Sequence, residues 1–143
     1  MKKFIILMLS LVVLTACSTD DEGPEIKLQP AKAKILKAEL PESLEMSKNY
    51  TIEVFYELPS PCHIDVALVA APGETNTEFY LYGATVFDAD QVGCDQTSTD
   101  LERSGEFNLF VESTESYTFH LWRGFTEDGI DIYDPVTVPV VMD

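Results

Sequence analysis

Residues 50–58 read YTIEVFYEL, and the spacing within that stretch decides the fold class. Tyr50, Ile52, Val54, Tyr56 and Leu58 alternate with Thr51, Glu53 and Glu57, and Phe55 alone interrupts the polar side. Successive side chains of a strand point to opposite faces, so this period of two predicts a half-buried β-strand. Pro59-Ser60-Pro61 ends it, because proline cannot donate to a ladder.

The pattern repeats on both sides. Ile64, Val66, Leu68 and Ala70 alternate and stop at Pro72-Gly73-Glu74. From Glu78 to Phe87 both faces are apolar, with Phe79, Leu81 and Phe87 against Tyr80, Tyr82 and Val86. A polar loop from Asp88 to Ser104 follows, then Phe107, Leu109 and Val111, and then Tyr117, Phe119 and Leu121. Ile130 and Ile132 begin the last stretch, which resumes after Pro135 with Val136, Val138 and Val140; Pro139 cannot donate to a ladder, so this strand is expected to lie at an edge or to finish there. Residues 31–40 have a helix-compatible composition, but Leu36, Ala38 and Leu40 alternate before Pro41, which favours a strand. About seven short strands separated by turn signals predict an all-β domain over residues 30–143, an antiparallel β-sandwich.

One local feature sharpens the expectation. Tyr117 opens a strand after the turn Ser113-Thr114-Glu115-Ser116, and this resembles the tyrosine corner of immunoglobulin and fibronectin type III domains. The resemblance implies an immunoglobulin-like sandwich in which the phenol bonds backbone at the corner. Trp122 stands on a late strand away from the cysteines, so the antibody Cys…Trp…Cys pattern is absent.

The chain begins differently. Lys2 and Lys3 precede an apolar run from Phe4 to Leu14, too short to span a bilayer core of about 20 residues and suited to a secretory leader. Leu14-Thr15-Ala16-Cys17 resembles the lipobox of bacterial lipoproteins, which implies cleavage after Ala16 and a diacylglyceryl thioether on Cys17. Several acyl chains on one residue hold a membrane where one alone is marginal. Ser18-Thr19-Asp20-Asp21-Glu22 is similar to the acidic export tag of Bacteroidota-type surface lipoproteins. With Gly23-Pro24 it also reads as a flexible, solvated tether over residues 17–29. The layout of signal peptide (residues 1–16), tether, "ELPSPC", second cysteine, "YTFHLWRG" and final valines resembles small outer-membrane lipoproteins of that type, a likeness that carries no activity with it. The implied location is the outer membrane, facing the cell surface.

Removing the leader takes Lys2 and Lys3 from the nine basic residues and none of the 25 acids, so the formal charge falls from −16 to −18. Such a surface repels phosphates and excludes a nucleic-acid partner. With Cys17 assigned to lipid, Cys62 and Cys94 remain in an oxidising compartment and are expected to pair. Zinc would need two further ligands, and only His63 and His120 are at hand.

No nucleophile elbow, His-Glu-x-x-His or phosphate loop occurs, and no catalytic residue, cofactor or metal site is expected. His63 or His120 beside an acid is the one hydrolytic alternative, and His120 should face away from the core. Asp88-Ala89-Asp90-Gln91-Val92-Gly93 starts like an EF-hand but places Val92 and Thr99 where the fifth and twelfth ligands belong. That leaves only a loose calcium site from Asp88, Asp90, Asp95 or Asp100. Tyr80, Tyr82, Trp122 and Tyr133 fall on strands, and where they face outward they form a platform for sugar rings. The expectation is a non-catalytic binding or accessory module, with a protein or a glycan as ligand.

Overall fold

The computed structural model describes residues 27–88 and 94–142. Cys17, the leader, most of the tether and Asp90 lie outside the described residues. Among these residues there is no helix. Nine strands follow one another: β1 (Leu28–Ala38), β2 (Leu44–Glu45), β3 (Asn49–Glu57), β4 (His63–Pro72), β5 (Glu78–Asp88), β6 (Glu102–Phe110), β7 (Tyr117–Phe125), β8 (Asp131–Val138) and β9 (Val140–Val141). The stretch at 31–40 is therefore a strand through Ala38.

Seven strands form one mixed, mostly antiparallel sheet in the order β6-β3-β1-β5-β7-β8, with β4 also paired to β5. β2 and β9 form a short parallel pair. The uniformly antiparallel arrangement expected from the alternation is corrected at β5, which runs parallel to β7 from Glu78↔Thr118 to Leu81↔Leu121. The cause is connectivity. After β5 the chain crosses to the far edge to form β6 against β3 and then returns, and such a crossover delivers the next neighbour in the same direction. Alternation carries no information on direction.

β1 joins the two ends of this sheet. Its residues Leu28 to Ala33 pair with β5, and after Lys34 it pairs with β3, with a register shift between Ile35 and Lys37. β4 occupies the opposite side of β5, so β1 and β7 share one edge of that strand in succession. Where β1 leaves, its carbonyls need partners. Arg123 of β7 supplies them, donating from Nη1 to the Ile35 and Leu36 carbonyls and from Nη2 to Asp134 at 3.0 Å.

The core follows the predicted parity. In β3, Ile52, Val54 and Tyr56 are buried in one cluster with Leu81, Leu109, Val111, Phe119 and Leu121, and the adjoining Leu58 is buried beside the strand end. Phe79 lies 6.0–6.4 Å from the rings of Phe107, Tyr117 and Phe119. Each such side chain contributes about 1.5–3 kcal/mol when removed from water. Tyr56 lies flat against Gly83, where an added Cβ would come within 2.4 Å of its ring. Its hydroxyl donates to Asp65 at 2.9 Å, and burial first, then Asp65, pushes its pKa up to about 12. On the facing side Gly105 meets Leu68, bringing β6 against β4.

Two inward assignments in β4 are corrected. Ile64 and Val66 are 54% and 59% exposed, because a bulge between Asp65 and Ala67 shifts the phase and puts Asp65, itself exposed, opposite Thr85 and within reach of the Tyr56 hydroxyl. β6 begins at Glu102, earlier than the polar composition suggested, because β3 offers a continuous ladder out to Glu57↔Glu102. The Tyr117 phenol accepts from the Glu112 and Ser113 amides at 3.0 and 3.3 Å, the corner contact expected of it. Tyr50 repeats the arrangement, accepting from the Glu45 amide at 2.9 Å.

Candidate functional site

The outward parity of β5 and β7 gathers the aromatic residues. Tyr80 and Tyr82 alternate with the inward Phe79 and Leu81, and His120 and Trp122 alternate with Phe119 and Leu121. Register then pairs Tyr80 with His120 and Trp122 with Tyr133 of β8. Tyr80 stacks on His120 at 4.5 Å, and Tyr133 meets Tyr80 edge-on at 4.9 Å. All four aromatics named from the sequence thus share one face.

A cation organises it. Lys32 reaches over from β1 and places Nζ 5.1, 5.7 and 5.9 Å from the ring centroids of Tyr82, Trp122 and Tyr133. The same ammonium pairs with Asp131 at 2.8 Å, and the Trp122 indole N–H donates to the other oxygen of that carboxylate at 2.6 Å. Burial alone lowers the Lys32 pKa, but Asp131 and the Tyr133 phenol outweigh it and hold the group above its usual value. Asp131 is held below the usual carboxylate range, chiefly by the Lys32 hydrogen bond. Neither Lys32 nor Asp131 was legible as part of this site, since 99 residues separate them and only the sheet order joins their strands.

Trp122 is 5% exposed, so its indole is a wall and not an open platform. The open ring is Phe125, which packs edge-on against Trp122 at 5.1 Å and stays 58% exposed. It was legible as an aromatic after Gly124, at the end of the same strand.

Beside these rings runs an open groove of about 880 Å³. Its lining includes Tyr82, Trp122 and Phe125, Leu58, Pro59, His63 and Leu101, and Lys32, Lys34 and Ala84. The disulfide Cys62–Cys94, with sulfurs 2.03 Å apart and a separation of 32 residues, ties the segment carrying Pro59 and His63 to the chain leading to Leu101. A closed loop of that size contributes roughly 3–4 kcal/mol in the chain-entropy account.

The histidines are not brought together. His63 Nδ1 lies 2.8 Å from Ser60 Oγ, its ring rests 5.0 Å from Phe87, and burial lowers its pKa. The Ser60 hydroxyl also accepts from the Cys62 amide at 3.3 Å, so it braces the turn that enters β4. His120 faces outward as expected, with Nε2 buried and 3.7 Å from Glu78 Oε1. Of the loop acids, Asp95 accepts from the Thr97 amide and hydroxyl at 3.0 and 2.6 Å, and Asp100 stands 3.7 Å from Arg103. Among the described residues no group of three or more His, Cys, Asp or Glu side chains could hold a metal ion. No family model, no curated protein and no solved structure matches this chain.

Proposed function

We propose that this chain is a lipid-anchored surface protein whose immunoglobulin-like domain binds a ligand without chemistry, in the groove beside Tyr82, Trp122 and Phe125. The observation that carries the reading is the convergence of those rings and Lys32 on one open groove. Ligand sites are concave, largely apolar and oriented by a few polar groups, and this groove has that character. The histidine environments point the same way, since Ser60 serves backbone and His120 is stacked beneath Tyr80.

The lipobox at Leu14 to Cys17 supports the anchor, and the acidic tether supports display away from the membrane. The sandwich reading draws on the Tyr117 corner and on the approach of Gly105 to Leu68. Glycan recognition is the ligand reading favoured by a specific feature, the solvent-facing Phe125 ring in a groove that Tyr82 also lines.

The test is a glycan-array screen of the domain from residue 27 onward. Signal should be lost in Phe125→Ala and Tyr82→Ala and kept in Phe110→Ala, whose ring is exposed elsewhere. Binding indifferent to both groove substitutions, or turnover abolished by His63→Ala or His120→Ala, ends this reading.

A further inference from the structure

We infer that the ligand of this groove is an acidic saccharide, with Lys34 as the contact for its carboxylate; this rests on the binding reading above and adds the charge of the ligand. The starting point is the distribution of cations. The chain carries a formal charge of −16, yet the groove lining holds Lys32 and Lys34 against the single carboxylate of Glu57. Period two explains the pair: Ala33 and Ile35 are buried in the core, so Lys32 and Lys34 project together from the opposite face of β1.

The two lysines differ. Lys32 is committed to Asp131 and three rings. Lys34 is exposed and, among the described residues, makes no ion pair, although Lys37, Lys48, Arg103 and Arg123 each make one. Glu57 is its ladder partner across β3 but forms no salt bridge with it. A lysine at an apolar groove with no ion pair among the described residues is a point of attraction for an anion, and the negative charge of the rest of the chain leaves this groove as the place where an anion meets cations.

The groove's shape selects the rest of the ligand. An acyl chain fits an enclosed tunnel, whereas this site is open and offers the exposed Phe125 ring and the half-buried Tyr82. A pyranose presents C–H faces to rings and hydroxyls at its edges, and Glu57 at the rim can accept from a hydroxyl. A uronic acid adds the carboxylate that Lys34 takes.

The test is titration calorimetry of the domain from residue 27 onward with tetragalacturonate and with the neutral cellotetraose. The acidic probe should bind, weaken as salt rises, and lose about tenfold in affinity in Lys34→Gln. The charge-matched Lys37→Gln, paired to Glu39 and outside the groove, should leave the affinity unchanged. Equal binding of both probes, or an unchanged affinity in Lys34→Gln, overturns the acidic inference; if Phe125→Ala still abolishes that binding, the groove reading stands. No binding of tetragalacturonate at millimolar concentration also overturns it. So does a dimer in sedimentation that Phe125→Ala dissolves, which would make a second copy the occupant.

Discussion

On the inward side of β5 and β7, Phe79, Leu81, Phe119 and Leu121 pack without polar partners. On the outward side, Tyr80, Tyr82, His120 and Trp122 are equally aromatic, but each ring sits beside a charge, a hydroxyl or another ring edge. The inward face excludes water and holds the sheet together. The outward face is half-buried, centred on the Lys32–Asp131 pair, and continuous with the groove. Similar residue types therefore close the core on one face and line an open groove on the other, where the proposed function places recognition, and what separates them is the polar group within reach of each ring.

The largest expected effect breaks the inward face. Phe119 is fully buried among rings, so Phe119→Ala should cost about 3–5 kcal/mol in denaturant unfolding, as transfer and cavity terms add. A loss below about 1 kcal/mol would show that the inward packing is not the fold's main support. The outward face is probed by Trp122→Phe, which keeps most of the ring and removes the indole donor to Asp131. Its expected cost is about 1 kcal/mol, one hydrogen bond, because Lys32 still satisfies the carboxylate. Parity with Phe119→Ala would erase the distinction between the faces.

The smallest effect is the dependence on acid. Asp131 titrates below 3.8 in the folded state, held there first by the Lys32 hydrogen bond and further by Trp122. As pH falls below that value the unfolded chain takes up the proton first, so Asp131 contributes stability above it and loses the contribution as pH drops through the folded value. The two side chains are 27% and 35% exposed and the pair is screened by solvent, so the contribution is under about 1 kcal/mol. Asp131→Asn should lower stability at neutral pH by about that amount, leave it nearly unchanged well below pH 3, and so flatten the acid limb of the profile; an unaltered acid limb would mean that the carboxylate does not hold the outer face.

The sequence by itself determined which residues form strands and which way most of them face. Ile52, Val54 and Tyr56 are buried because a strand's period is two and nothing else in their neighbourhood competes. The Tyr117 corner and the pairing of Cys62 with Cys94 were legible from short signals: a tyrosine after a turn, and two cysteines left when the proposed lipid anchor is assigned the third. The outward position of Tyr80, Tyr82, Trp122 and Tyr133 was legible only as parity.

Only the tertiary structure decided how those strands neighbour one another. Alternation has no direction, so the parallel β5–β7 pair and the division of β1 between β5 and β3 were invisible until β6 crossed the sheet. The bulge that turns Ile64 and Val66 outward depends on β5 as a partner. Lys32 reaches Trp122 and Asp131 for the same reason, since β1 lies beside β7 along one edge of β5. Local periodicity sets what each strand buries; long-range pairing sets which charge meets which ring.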